Sequence, residues 1–175
     1  MRKIVLYGDP VLRKQATEIG GVNEAIDELA REMIEIMHGA DGIGLAAQQI
    51  GETRSICVVD VPPDHDVDES GERLNAGLDM PLVLLNPTLF DPSDAADTYQ
   101  EGCLSFPGIH GQVVRPDEVS VRWMGLDGET REARVRGLVG RCIQHEVDHL
   151  NGVLFIDHMS HVKRVALRGK LKRLK

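Results

Sequence analysis

Apolar residues recur at helical period in the first third of the chain, which predicts one long amphipathic helix. Asn23 is a residue type favoured at helix N-termini, and Gly39 is suited to follow the last turn. Between these two positions the apolar residues fall on one face: Ile26, Leu29, Met33, Ile36 and Met37. We therefore expect a packing helix that starts after Asn23 and ends at Gly39.

Shorter apolar runs predict the strands. Residues 55–61 and 81–87 are continuous apolar runs typical of buried strands, and residues 4–7 fit a short strand or an extended arm. Alternation on both sides of Asp127-Gly128 predicts a hairpin of residues 119–124 and 132–135. Residues 153–156 are a final apolar segment. The acidic residues 62–80 and 88–100 are expected to form solvated loops.

The order of these elements predicts the fold class. Strands dominate the middle of the chain and helices lie near both ends, which indicates an α+β protein. A chain of 175 residues fits one compact domain over residues 1–175. We expect mixed or antiparallel sheets packed around a central helix, the one that carries residues 144–150. Residues 163–175 form a basic C-terminal helical tail in which leucines recur at helical spacing: Leu167, Leu171 and Leu174.

Residues 144–150, Gln-His-Glu-Val-Asp-His-Leu, carry the clearest candidate chemistry. Side chains four apart lie on one face of a helix, so His145 and His149 can hold one metal ion. Glu146 can then reach a water on that metal. A stripe at helical period that includes Leu138 and Cys142 supports the helix. The alternative is a core helix that carries two hydrogen-bonded histidines and a glutamate by chance.

A catalytic site of this kind needs a third protein ligand. Cys142 lies seven residues before His149, about 10.5 Å along a helix, too far for both to bind one ion. Cys142 is therefore expected to line the wall beside the site. Cys103, in the glycine-flanked segment Glu-Gly-Cys-Leu-Ser of residues 101–105, is the better candidate. Its alternative role is a half-buried free thiol.

Residues 42–49, Gly-Ile-Gly-Leu-Ala-Ala-Gln-Gln, combine small residues that allow close approach of backbone. The segment lacks the Gly-Lys-Ser/Thr ending and the spacing of phosphate-binding loops. Tight packing against another element and contact with a ligand both remain open on this pattern alone.

Charge and cysteine usage limit the function classes. Of the 20 lysines and arginines, seven lie in residues 163–175, whereas the rest of the chain carries 28 acids against 13 bases. Such an acidic body argues against nucleic-acid binding over its whole surface, but the tail could bind RNA. Three widely spaced cysteines indicate free thiols in a reducing compartment, and no apolar run has membrane-spanning length. We expect a cytoplasmic protein with no membrane association.

The three segments together resemble the peptide deformylase family. Its motifs are Gly-φ-Gly-φ-Ala-Ala-x-Gln, Glu-Gly-Cys-φ-Ser and Gln-His-Glu-x-Asp-His, with φ an apolar residue, and the chain has them in that order at residues 42–49, 101–105 and 144–149. The resemblance extends over nearly the whole chain. The family removes the formyl group from the N-terminal formyl-methionine of new polypeptides and releases formate. Two features depart from its pattern: residues 62–80 replace a compact turn, and His110 stands where some members have a peptide-holding arginine.

The resemblance implies a role for each motif. Cys103, His145 and His149 are expected to bind a divalent metal whose fourth ligand is water. Such binding lowers the pKa of water from about 15.7 to about 7, and Glu146 is expected to take its proton and pass it to the departing amine. The Gln49 amide and the Leu104 backbone N–H are the implied donors to the oxyanion. The implied substrate-binding residues are Ile43, Gly44, Gly102, Leu138 and Cys142.

Cofactor and partners follow from the same resemblance. It implies Fe(II) as the physiological metal, with Zn(II), Ni(II) or Co(II) as occupants of purified protein, although ligand softness alone suggests zinc for one cysteine and two histidines. The expected partners are N-formyl-methionyl nascent peptides. Ribosome contact through the basic tail is a further hypothesis, and its alternative is a solvated helix face. We expect a monomer.

Two alternative functions would also use metal binding by the histidines of residues 144–150. A zinc endopeptidase would share the helix motif but take a third ligand downstream of it, and His158 and His161 are available there. A non-catalytic, ribosome-associated metal-binding module would use the tail and would not need Glu146.

Overall fold

The chain folds into two antiparallel sheets, described by a computed structural model that covers residues 2–174. The strands, in chain order, are β1 (Gly44–Ala46), β2 (Ile56–Val59), β3 (Leu82–Phe90), β4 (Ala96–Gly102), β5 (His110–Pro116), β6 (Glu118–Met124) and β7 (Thr130–Arg136). The larger sheet has the spatial order β1-β2-β3-β6-β7, and β4 pairs with β5 in a separate two-stranded sheet. This arrangement leaves β1 at an edge of the larger sheet.

Two long and two short helices complete the fold. They are α1 (Glu24–Gly39), α2 (Gly137–Leu150), α3 (His161–Ala166) and α4 (Arg168–Lys172). Short 3-10 turns lie at Pro10–Arg13, Ala47–Ile50, Pro63–His65 and Phe155–His158. Within residues 2–174, the helices are all too short or too polar to traverse a bilayer.

Helix α1 forms as its pattern predicts. The Asn23 side chain accepts a hydrogen bond from the backbone N–H of Ile26, which satisfies one of the free donors of the first turn. The apolar stripe is buried, with Met33 and Met37 fully inaccessible to solvent. The predicted start and end of this helix are both confirmed.

The larger sheet is covered on both faces, because side chains of β2 point alternately to opposite sides. Ile56 and Val58 pack in the cluster that contains α1. Cys57 and Val59 pack in the cluster that contains α2, together with Ile143 of that helix. Helix α2 therefore lies against the sheet as the central helix of the α+β fold, as predicted.

A third apolar cluster lies under β5 and receives the C-terminal tail. Phe106 and Phe155 are at its centre, with ring centroids 5.1 Å apart. Leu171 is buried in it, and Leu167 and Leu174 pack against it. The predicted helical spacing of these leucines is thus confirmed, and it leaves the basic side chains of residues 163–173 exposed, whereas Lys175 lies outside the described residues.

The β4–β5 pair was not predicted, and the expectation of a loop over residues 88–100 was wrong. In β4 only Glu101 is buried, so the strand shows no apolar alternation for a sequence pattern to detect. Its pairing with β5 extends from Ala96–Pro116 to Gly102–His110. The strand is specified by its partner rather than by its own sequence.

The ends of the chain also differ from simple strands. Residues 4–7 form an extended arm in which Val5 N–H donates to the Gln49 carbonyl and Tyr7 N–H donates to the Ser105 carbonyl, at 2.8 and 2.9 Å. The apolar segment 153–156 leads into the 3-10 turn Phe155–His158. The arm thereby ties together two of the motif-bearing segments.

Candidate metal centre

Helix α2 packs against the larger sheet with one face and turns its two histidines toward β4 with the other. Val139, Ile143 and Val147 face the sheet, whereas His145 and His149 face β4 and the turn after it. The helix follows β7 directly and ends before Gly152, whose φ of 71° suits a glycine. Both histidines are buried, His145 at 8% and His149 at 1% exposure.

Cys103 reaches the histidines from a tight turn at the end of β4. The Phe106 N–H donates to the Cys103 carbonyl at 2.8 Å, and the buried Phe106 ring anchors the turn. This turn places the Cys103 Sγ 3.3 Å from His149 Nε2. The candidate ligand atoms of Cys103, His145 and His149 all lie within 4.8 Å of one another.

Gln49 lies beside the same sulfur. Its Nε2 is 3.4 Å from the Cys103 Sγ, and its Oε1 accepts a hydrogen bond from the Ala46 N–H at 2.8 Å. The bond from Ala46 fixes which end of the amide is the acceptor, so the donor end points toward the cluster.

Glu146 is buried next to the cluster but is not one of the three clustered ligands. Burial raises the pKa of its carboxyl to about 7, despite the opposing effect of His145. Its Oε2 has no hydrogen-bond partner within the described residues. Its Oε1 faces Gly44, where an added Cβ would lie only 2.4 Å away, so this position requires glycine.

A buried network of charges holds His145. The Arg115 guanidinium donates to both oxygens of Glu101, at 2.6 and 3.0 Å, and to Asp148 at 2.8 Å. Arg141 adds a bond to Glu101 at 2.9 Å. Buried ions are tolerated when they are paired and hydrogen-bonded in this way.

The network sets the orientation of the His145 ring. Glu101 Oε2 lies 2.9 Å from His145 Nδ1, which leaves Nε2 as the atom for the cluster. Burial alone would raise the pKa of Glu101, but hydrogen bonds from His145 and Arg115 outweigh it and hold the pKa well below its usual range. Glu101 is therefore a carboxylate. Burial also lowers the pKa of His149, which keeps this imidazole neutral.

A cavity of about 510 Å³ opens onto this cluster. Most of the residues proposed from the sequence lie along it: Ile43, Gly44, Gln49, Gly102, Cys103, Leu104, Leu138, Cys142, His145 and Glu146. His149 lies behind Cys103 and is not part of the wall. Cys142 lies in the wall, with its thiol donating to the Ile43 carbonyl at 3.4 Å. His110 also lines the cavity, with its ring over Gly102.

The alternative third ligands lie elsewhere. His158 Nε2 contacts Asp148 at 2.8 Å, and His161 is exposed at the start of α3. Among residues 2–174, neither joins the clustered ligands. The geometry therefore gives no support to an endopeptidase-type ligand set.

The donor set fits a transition metal. Cysteine sulfur and imidazole nitrogen are ligands that zinc takes in catalytic sites, and imidazole also suits iron and nickel. The unpartnered Glu146 oxygen and the adjoining cavity leave room for a water and a substrate next to the cluster. Three clustered ligands beside a cavity are typical of open metal sites, whereas closed structural sites use four protein ligands.

Sequence patterns did not reveal the charges that hold the site. The motifs contain Glu101 and Asp148, but nothing in the sequence connects them to Arg115 or shows where Arg141 points. The four residues come from β4, β5 and α2, and only the fold brings them together. An arginine on the buried face of a short alternating strand was the one available signal.

Comparisons with known proteins point to one family. The family model for polypeptide deformylase matches residues 1–165. A peptide deformylase of Opitutus terrae is 45% identical over 98% of this chain and 92% of its own length. The crystal structure of peptide deformylase from Ehrlichia chaffeensis superposes with a TM-score of 0.87 at 34% identity, covering 99% of this chain and 96% of that one. That from Thermotoga maritima gives a TM-score of 0.80 at 36% identity, covering 91% and 98%.

Proposed function

This chain belongs to the peptide deformylase family, and from that premise we propose that Cys103, His145 and His149 hold the metal ion of a deformylase active site. The family is metal-dependent and hydrolyses the N-formyl group of N-terminal formyl-methionine, and the chain is an enzyme of this kind. One observation carries the assignment of the site: a cysteine sulfur and two imidazoles within 4.8 Å of one another, beside a buried carboxyl group.

The three ligands would bind a divalent cation, which would bring positive charge into the site. When bound, a divalent cation lowers the pKa of water to about 7 and polarises a carbonyl oxygen. We propose Fe(II) as the physiological ion on the basis of the family, with Zn(II), Ni(II) or Co(II) able to replace it in purified protein. The Cys103–His145–His149 set offers soft and borderline donors that accept each of these ions.

Glu146 is proposed to hold and move the proton. With a pKa of about 7 in the metal-free chain, its carboxyl is matched to proton transfer near neutral pH. Its free Oε2 can accept a proton from water and then donate it to the nitrogen of the departing amine. The carboxyl is buried beside Gly44 and lies in the wall of the cavity where the substrate would bind.

Gln49 and Leu104 are proposed to stabilise the oxyanion. The Gln49 amide is fixed by Ala46, so its Nε2 is directed toward the cluster before the reaction starts. The backbone N–H of Leu104 follows Cys103 in the same turn. Removal of one such preorganised donor typically costs about 10²–10³ in rate.

The substrate is proposed to lie along β1. This strand is at an edge of the larger sheet, where the backbone groups that face away from β2 can pair with an extended peptide, apart from the Ala46 N–H, which donates to Gln49 Oε1. Ile43, Leu138 and Cys142 would surround the methionine side chain, while Gly102 lies across the cleft. Because Gly44 has no side chain, the backbone of the peptide can come close to Glu146.

Formate release from formyl-Met-Ala-Ser, measured with metal content on the same anaerobic sample, tests the proposed site. We expect turnover to rise with metal content up to one ion per chain. The Fe(II) form should lose activity in air because a thiolate beside Fe(II) is open to oxidation, whereas the Zn(II) form should persist. Turnover that does not change when the metal is removed by a chelator would contradict the proposal.

The C-terminal tail is proposed to contact ribosomal RNA. Its leucines pack inward against the third cluster, so its basic side chains are exposed on α3 and α4. A polyanion such as RNA is the partner that this charge favours.

The three free cysteines fit the proposed location in the reducing cytoplasm, where the enzyme is proposed to act as a monomer.

Neutralising the tail should weaken ribosome binding without disturbing its packing. In the triple variant Lys163→Gln, Lys170→Gln, Lys172→Gln, we expect cosedimentation with ribosomes to fall at least about tenfold and to depend less on salt. The matched control replaces three exposed arginines of the β6–β7 hairpin with glutamine: Arg122, Arg131 and Arg134. Equal binding by both variants, or binding that salt does not affect, would exclude the tail.

A further inference from the structure

Residues 62–80, hereafter the insertion, are not only the solvated loop that their composition predicts. The insertion contains a buried carboxylate, Asp66, with no exposed surface, and Asn75 is 5% exposed. Asp66 accepts hydrogen bonds from Arg73 Nε at 2.9 Å, from the Asn75 N–H at 3.3 Å, and from the Asn75 side chain. A buried carboxylate satisfied in this way rigidifies the segment that carries it.

The same asparagine fastens the insertion to the start of α2. Asn75 Nδ2 donates to the Arg136 carbonyl at 3.0 Å, and the Arg136 N–H donates to Asn75 Oδ1 at 3.2 Å. Arg136 occupies the N-cap position of α2 and makes no side-chain capping bond there. The Asn75 amide thus pairs with the backbone at the β7–α2 junction as a neighbouring strand would.

Leu74 adds a packing contact at the same junction. Gly137 has a φ of 61°, in the left-handed region, and an added Cβ would lie 2.7 Å from Leu74 Cδ1. The chain therefore turns from strand to helix in a conformation that favours glycine, with the insertion directly against it.

The residue that follows, Leu138, is in the wall of the active-site cavity. Leu138 also lines a second cavity of about 790 Å³, whose other walls include Asp64 and Leu74 of the insertion. Leu138 is half-buried and packs against the core cluster between α2 and the larger sheet, so its position depends on that packing and on the backbone that carries it. The Asn75–Arg136 bonds fix that backbone.

The contact is local to the far end of the cavity. From residue 138 to residue 145 the helix rises about 10.5 Å, so the insertion acts about two to three turns away from the two histidine ligands. A change in the first turn of α2 would move the Leu138 wall, while the sheet-facing residues Ile143 and Val147 keep the ligands in place.

We propose that Asp66 and Asn75 are positioning residues, which fix the Leu138 wall and thereby set which first side chain the enzyme accepts. The preferred class is formyl peptides that begin with methionine or another long, unbranched apolar residue. The inference deepens the proposed function, since it takes Leu138 as part of the methionine pocket.

The test is substrate selectivity in Asn75→Ala. We expect KM for formyl-Met-Ala-Ser to rise about tenfold and the preference for methionine over leucine at the first position to fall by a similar factor, while kcat and metal content change less than about threefold. Leu74→Ala should also raise KM and lower the preference for methionine, but by smaller factors. This second variant keeps the test possible if Asn75→Ala does not fold.

Asp68→Ala is the matched control. Among residues 2–174, the Asp68 side chain accepts hydrogen bonds only from Ser70 and Glu72, at the tip of the insertion. It should leave KM and selectivity unchanged. If Asn75→Ala and Leu74→Ala lower the melting temperature yet leave KM and selectivity at their original values, the insertion is only a structural support and the inference is wrong. Failure of the unsubstituted protein to release formate would instead count against the proposed function.

Discussion

Replacing Glu146 with glutamine should lower turnover by at least about 10²-fold while the protein keeps its metal. Glutamine preserves the shape of the side chain but cannot take up a proton. Glu146 is not one of the clustered ligands, so binding of the ion does not depend on it. Its unpartnered Oε2 at the edge of the cavity is the atom whose loss should matter.

The substitution should not act by unfolding the protein. Burial raises the pKa of Glu146 to about 7, so in the metal-free chain the ionised form costs stability as the pH rises above the ordinary range of a glutamate. A neutral glutamine removes that cost, and the metal-free variant should be at least as stable as the original chain at neutral pH.

Formate release and metal content of Glu146→Gln are to be measured together. Glu132→Gln is a suitable control, because Glu132 is an exposed glutamate on β7 that pairs with Arg122. Full turnover by Glu146→Gln would show that another group moves the proton.

Replacing Cys103 with alanine should abolish formate release, the second large effect. The substitution leaves two imidazoles, whereas catalytic sites of this kind use three protein ligands. The Sγ of Cys103 also lies 3.4 Å from Gln49 Nε2, so its loss removes a contact of the proposed oxyanion donor. We expect the rate of formate release to fall to the background rate. We also expect the variant to hold less than one metal ion per chain. Turnover within tenfold of the original protein would place the active site elsewhere.

Some elements of the fold were predictable because their sequences carry local signals. Helix α1 has a cap and an amphipathic stripe, and the β6–β7 hairpin has alternating strands around Asp127-Gly128. Helix α2 has histidines at helical spacing. In each case the apolar residues of a short segment recur at the period of the helix or strand, so the element can be predicted without knowledge of distant contacts.

Other elements were not predictable because their partners are remote in the chain. Strand β4 exposes nearly every side chain, so only its pairing with β5 identifies it. The same limit applies to the insertion, where acidic composition predicted solvent exposure. Asp66 is nevertheless buried, because Arg73 and Asn75 satisfy its oxygens.

The candidate site divides in the same way. Motif spacing brought Cys103, His145 and His149 forward as ligands before any geometry was known, and the structure places them in one cluster. The pairing of Arg115 with Glu101, which orients His145, depends on three elements meeting in space. Glu101 stands in a motif, but its role in orienting His145 becomes visible only when Arg115 and His145 lie beside it.

The measurement that tests the central claim most directly is the metal content of Cys103→Ala after dialysis against a chelator, beside Cys142→Ala. Both thiols adjoin the cavity, but only Cys103 is clustered with the histidines. We predict that Cys142→Ala retains one ion per chain and that Cys103→Ala retains almost none. One tightly held ion in Cys103→Ala would contradict the proposed ligand set and would require a third ligand other than this thiolate.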